Sequence, residues 1–432
     1  MANEIAKTLK GFRDFLPEQE IARRKFIETI KRVYETFGFS PLETPVLEYA
    51  DILTGKYGDE GEKLMYRFKD QGDRDVAMRY DLTIPLARVM AQYPELKKPF
   101  KRYQVSPVWR AENTQKGRFR EFYQCDADIV GSESPLADAE ILALASEVTK
   151  ALKLDVVLRI NSRKILNAFY GSLGLDEKVS LTILRIVDKL EKIGKGKVID
   201  EIVSLGIKKD ISEQIVAFAD TKIKDIDDID AVANKYPMIS SVLKELGTIV
   251  YLAQKMSVFE YEIDFSIARG LDYYTGLIFE TNLKAIDGYG SILSGGRYDN
   301  LIGLFGKNSI PAVGASVGID RLFSALLELG LVKIENTVAK VLVLNIDETL
   351  VADYTNITKI LRDGGVPTML YFDTNDIKKQ LSFASGLDMK CAVILGGDEK
   401  KSGLVVVKDL TTGKQESVSI SEIVNTVKKI VG

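Results

Sequence analysis

The chain contains no histidine among its 432 residues, and that absence removes whole chemistries at once. No Ser-His-Asp triad, Cys-His pair, HExxH zinc site or imidazole general base can be built from it. Cysteine is nearly as scarce. Cys125 and Cys391 are the only two, too few for a disulfide framework or a zinc quartet, and they read as buried small hydrophobes. No run approaches the roughly 18 consecutive apolar residues of a membrane span. Residues 1–17 hold no apolar core of signal-peptide length, so the expectation is a cytoplasmic protein without a membrane partner. Net charge is small as well, at -3. Any nucleic acid must then be met by local basic surface, because the whole-molecule field offers no attraction.

What is present is a globular composition, with 46% hydrophobic and 28% charged residues, in a chain long enough for two or three domains. An enzyme without imidazole must work with fixed charge and position, so arginines beside glycines and aromatics are the places to look. Residues 268–276 read ARGLDYYTG between the alternating runs 259–267 and 277–280, which suggests a strand, a tight turn and a strand. Arg269 suits a phosphate or carboxylate, since its planar fork bonds bidentately and neighbouring glycines let a ligand approach the backbone. Tyr273 and Tyr274 offer flat walls with hydroxyls at the rim. A hairpin with surface tyrosines fits the same residues.

Residues 103–130 read as a strand ending at Arg110, a polar loop 111–117 and a returning strand from Phe119. Gln124, Asp126 and Asp128 alternate there and so share one face. Residues 63–83 alternate like a hairpin with its turn at Gly72-Asp73. Asp81 either caps a helix over 84–90 or, with Thr83, receives a ligand's ammonium. A small-residue strand over 312–318 runs into a helix beginning near Asp320. Gly295, Gly296 and Gly314 are either bulges or points of close approach. A mostly helical stretch of mixed charge covers about 173–256. Beyond Thr337, strands over 340–345, 367–372, 391–395 and 404–408 alternate with helices, the last from about Ser419 to Val431, which predicts a small α/β domain.

On these motifs the chain resembles the histidyl-tRNA synthetase family of class II aminoacyl-tRNA synthetases. RGLDYYTG is similar to that family's amino-acid signature, the helix and proline-bearing strand before residue 48 to motif 1, residues 103–130 to motif 2, and 312–322 to motif 3. The resemblance implies an α+β fold: an antiparallel-sheet catalytic core over 1–172 and 257–332, a helical insertion over 173–256 that leans on the tRNA acceptor stem, and an anticodon-binding α/β domain over 338–432. It implies that histidine and ATP give histidyl-adenylate and pyrophosphate, and that the 3' end of tRNA(His) then displaces AMP. Arg110 would bridge the substrate carboxylate and α-phosphate, Glu112 read the adenine amino group, Arg118 reach the outer phosphates, and Phe122 and Arg321 enclose adenine. Asp81 and Thr83 would take the amino group and Gln124 the substrate backbone. Tyr273 would bond one imidazole nitrogen, with Asp128 or a water on the other and Tyr274 walling the pocket. Many bacterial members carry glutamate at the position of Asp128, so the acid here reaches one methylene less. Arg269 would neutralise the α-phosphate. Mg2+ would bridge the outer phosphates, no protein-held metal is assigned, and motif 1 implies a homodimer. The competing expectation is a catalytically silent paralogue that binds histidine and regulates ATP phosphoribosyltransferase.

Overall fold

The computed structural model describes residues 6–55, 62–258, 260–267, 273–286, 289–306 and 308–432. They form two compact units, one taking in the chain to Arg13 and Phe26–Leu331, the other Asp14–Lys25 and Val332–Gly432. No helix among the described residues is long and apolar enough to cross a membrane.

In the first unit the strands are β1 Ser40–Pro41, β2 Leu47–Tyr49, β3 Arg67–Lys69, β4 Asp75–Met78, β5 Phe100–Trp109 and β6 Glu121–Val130, followed by β7 Val156–Ser162, β8 Lys222–Ile223, β9 Tyr261–Asp264, β10 Leu277–Leu283, β11 Leu293–Arg297 and β12 Ala312–Gly318. Among the described residues nine of them make one sheet in the order β1-β5-β6-β12-β11-β10-β7-β9-β8, while β2, β4 and β3 form a small second sheet. From β5 through to β7 the large sheet is antiparallel, with parallel pairs only at β1–β5 and β7–β9. Helix Pro135–Ala151 packs across β11 and β12. It starts where Ser134 accepts from the Leu136 amide and Pro135 takes the first turn. The buried pair Arg297–Asp138, at 2.6 Å, ties it to β11. Helices also fill most of residues 177–255.

One expectation is corrected here. The runs on either side of residues 268–276 do not pair as a hairpin, because β7 lies between them and pairs with both, antiparallel to β10 and parallel to β9. Alternation reports which face a side chain takes and says nothing about which strand lies beside it.

In the second unit β13 Val341–Val343, β14 Thr368–Leu370, β15 Cys391–Ile394, β16 Leu404–Asp409 and β17 Gln415–Ser419 make a sheet in the order β14-β13-β15-β16-β17. The first three are mutually parallel, and β16 and β17 are antiparallel additions. Val341 and Val343 pack into one apolar cluster, Leu342 and Leu344 into another, so both faces of β13 are covered. β17 escaped the sequence reading because its residues are mostly polar and exposed, as an edge strand allows. For the same reason the last helix is shorter than expected, Ile423–Val431, with Ser419 ending the strand instead. Both cysteines are buried and free.

Candidate active site

The floor of the site is set by sheet register. In β5, β6 and β12 the rows Arg102–Asp128–Gly314, Gln104–Asp126–Ser316 and Ser106–Gln124–Gly318 lie directly across from one another. Arg102 is wholly buried and its guanidinium lies 2.7 Å from Asp128 Oδ2, while the Tyr298 hydroxyl donates to Asp128 Oδ1. Gly314 is what leaves the carboxylate its space. A Cβ there would stand 1.9 Å from Asp128 Oδ1. Gly296 likewise admits the Tyr274 ring, which would be 3.0 Å from an added Cβ. The two glycines lie within regular strands, so they are points of close approach and not bulges.

Burial raises Asp126 to about 7, with Arg102 opposing and Asp128 adding to the rise. Asp128 is raised by burial too, against the pull of Arg102 and the Tyr298 hydroxyl. Gln124 donates to Ser316 Oγ at 2.9 Å. Gln124 Oε1 and Asp126 Oδ1 are buried without a hydrogen-bond partner among the described residues. A floor of carboxyls with open acceptors is suited to a donor-rich cation.

The side walls come from other elements. Asp81 Oδ1 accepts the amides of Thr83 and Ile84 at 3.1 and 3.0 Å, so it caps helix Thr83–Gln92 and also lines the cleft. The two readings of this aspartate are compatible. Tyr273 and Tyr274 pack with ring centroids 4.5 Å apart against the apolar cluster behind the floor, and Tyr298 meets Tyr273 edge-on at 6.1 Å. Burial pushes all three hydroxyls above the ordinary tyrosine value, which keeps them protonated donors at neutral pH.

The rim is cationic. Arg110 donates to the Tyr80 carbonyl at 3.1 Å and lies over the Tyr80 and Phe122 rings, 4.3 and 5.2 Å from their centroids. Glu112 sits between Arg110 at 4.0 Å and Arg118 at 3.5 Å. Arg321 donates to the Ser291 carbonyl at 2.7 Å from the first turn of helix Ile319–Glu328. That helix start is anchored by buried Asp320, which pairs with Arg13 at 2.6 Å and accepts the Tyr123 amide at 2.6 Å. Lys116, in the loop before Gly117, reaches Glu328 at 2.6 Å. Arg120 is spent on the carbonyls of Glu112 and Lys10.

Asp81, Thr83, Arg110, Glu112, Arg118, Phe122, Gln124, Asp128, Tyr273, Tyr274 and Arg321 therefore line one cleft of about 1250 Å3, its open mouth included. Arg269 lies outside the described residues. Sequence reasoning missed Arg102, Tyr298, Ser291 and Ser316. Arg102, Gln104 and Ser106 did carry a signal, a polar period-2 row matching the one on β6. Among the described residues no group of three acidic or thiol side chains could hold a metal ion. The cleft thus combines a carboxyl- and hydroxyl-rich floor with guanidinium groups at its mouth.

The family model described as histidyl-tRNA synthetase matches residues 11–322, and one described as anticodon binding domain matches residues 340–430. A histidine–tRNA ligase of Rhodopirellula baltica is 42% identical over 427 residues, covering 96% of each chain. The crystal structure of histidyl-tRNA synthetase from Nostoc sp. PCC 7120 superposes with a TM-score of 0.88 at 34% identity, over 98% of this chain and 99% of that one. An ATP phosphoribosyltransferase regulatory subunit/histidyl-tRNA synthetase from Bacillus halodurans shares the fold at 19% identity, with a TM-score of 0.74 over 89% of this chain and 97% of that one. With matches of this length and identity, the chain belongs to the histidyl-tRNA synthetase family.

Proposed function

We propose that this protein is a histidine–tRNA ligase that activates histidine with ATP and passes the histidyl group to tRNA(His). The observation that carries the reading is the cleft itself, where Arg110 and Arg118 from the β5–β6 connection and Arg321 from the helix after β12 line the mouth above a floor of buried carboxyls. The first step needs no base. The histidine carboxylate is already ionised, its oxygen attacks the α-phosphorus, and the bond to pyrophosphate breaks. Charge gathers on the α-phosphate and leaving group, so fixed cations and alignment supply the rate.

Arg110 bridges carboxylate and α-phosphate, with Arg269 as a second cation on that phosphate. Arg118 meets the outer phosphates. Phe122 and Arg321 enclose the adenine while Glu112 accepts from its amino group. Asp81 and Thr83 hold the ammonium, and Gln124 the substrate backbone. Tyr273 and Asp128 address the imidazole nitrogens, and Tyr274 completes the wall. A pocket built to pair both nitrogens rejects isosteres by leaving its own groups unpaired. Mg2+ would enter with ATP as part of the substrate and offset the charge of the outer phosphates. The working form is a cytoplasmic homodimer joined through the motif 1 segment.

The full-length relatives and the anticodon-binding match favour this reading over the regulatory paralogue. Exchange of labelled pyrophosphate into ATP tests it, with histidine, threonine, proline and glycine offered in turn. Exchange with histidine alone is expected. Histidine binding without exchange would select the paralogue, and exchange with another amino acid would select another specificity.

A further inference from the structure

Phe372 is 87% exposed, more than any other large hydrophobic side chain among the described residues. Its backbone is nevertheless firmly held. The Phe372 carbonyl accepts from Asn345 Nδ2 at 3.0 Å. Asn345 is in turn clamped by the fully buried Gln380, whose Oε1 accepts the Asn345 amide at 2.9 Å and whose Nε2 donates to the Asn345 carbonyl at 2.6 Å and the Asn375 carbonyl at 2.9 Å. A buried amide pair thus fixes the segment that carries a ring in solvent. Removing that ring from water into the protein would have been favourable, and nothing within this unit covers it.

The position is informative as well. Asn345 follows β13, Phe372 follows β14, and Gly396 and Gly397 follow β15, so all stand at the carboxyl edge of the three parallel strands. The chain leaves β13 toward β14 and leaves β15 toward β16 on the opposite side. Open α/β sheets take ligands at such a reversal, here between β13 and β15, and Phe372 stands one strand outward from it on the same edge. The matched family model names the kind of ligand, since residues 340–430 match an anticodon binding domain. Unpaired RNA bases are recognised by stacking on aromatic rings, with hydrogen bonds to their edges. Beside the ring, Asp373 and Thr374 are exposed, and Lys378 stands exposed in the first turn of helix Ile377–Gly386. These offer a carboxylate, a hydroxyl and a cation for base edges and phosphate.

We infer that Phe372 is a stacking platform for an unpaired base in the anticodon loop of the tRNA, an inference that rests on the ligase reading. The test is steady-state charging of a tRNA(His) transcript by full-length protein carrying Phe372→Ala or Phe372→Trp, with histidine-dependent pyrophosphate exchange, thermal midpoint and light-scattering mass measured alongside. F372A raises the KM for tRNA roughly 10- to 100-fold and leaves exchange, midpoint and mass unchanged, while F372W stays close to the parent. An unchanged KM for tRNA in F372A overturns the inference and leaves the ligase reading intact. A changed mass in F372A also overturns it, since the ring would then be covered by a second copy of the chain. Absence of exchange in the parent protein removes the ligase reading, and this inference with it.

Discussion

Replacing Arg102 by methionine perturbs the floor of the cleft at a fully buried cation. The guanidinium is fully buried 2.7 Å from Asp128 and opposes the rise that burial imposes on both Asp126 and Asp128. Methionine keeps much of the volume and removes the charge. Losing one member of a buried ion pair costs about 3–5 kcal/mol, because the remaining carboxylate is left uncompensated. That cost depends on pH, and its sign follows from proton counting. Without the guanidinium both acids hold their protons to higher pH than in the parent. Above the parent Asp126 value of about 7, the folded variant binds more protons than the folded parent. Its relative stability therefore falls as pH rises, by about 1.4 kcal/mol per pH unit for each extra proton. At pH 5 Asp126, with its value of about 7, is mostly protonated in both folded proteins, so its part of the difference is absent there and the penalty is smaller. Trp109, the single tryptophan, is buried in β5 and reports on this unit. Urea unfolding followed by its fluorescence at pH 5, 7 and 8.5 gives the comparison. A penalty for R102M that is equal at pH 5 and 8.5 would refute the charge-compensation argument.

Other expectations concern the same cleft. Gly314→Ala should displace Asp128 from Arg102 and Tyr298, since the new Cβ would lie 1.9 Å from its Oδ1; the KM for histidine should rise at least 10-fold with the KM for ATP little changed, and an unaltered histidine KM would contradict it. Asp126 has a folded value raised from 3.8 to about 7, so its contribution to stability is fully present at acid pH and is lost as pH rises through that value. The stability of the parent relative to D126N should accordingly decline between about pH 4 and 7 and level off above, and a flat difference by urea titration would exclude the shift. Arg110→Ala and Arg269→Ala should each lower the histidine-dependent exchange rate by roughly 100- to 1000-fold, the cost of removing a fixed charge-stabilising group, while far-ultraviolet circular dichroism stays that of the parent. Exchange retained in either variant would remove that arginine from its assigned role.

Part of the cleft was legible through the resemblance to motif 2, and part from local spacing alone. Arg110, Glu112, Arg118 and Phe122 belong to one strand, loop and strand, and the polar row on β6 could be read from a period of two. Long-range partners were not legible. Nothing local to Arg102 says that it faces Asp128, or that Tyr298, 170 residues on, donates to the same carboxylate. That relation exists only once β5, β6, β12 and β11 are set side by side. Gly314 shows the same limit from the other direction, since its missing Cβ has meaning only beside the carboxylate it makes room for. Edge strands fade for a different reason. β17 buries little, so its composition carries little periodic signal.

The most direct measurement is transfer of labelled histidine to a tRNA(His) transcript by the purified protein with ATP and magnesium. Label on the RNA that appears only when ATP is present, and that is abolished in R110A, is the result expected. A protein that binds histidine and folds normally yet leaves the transcript uncharged at every ATP concentration would contradict the account.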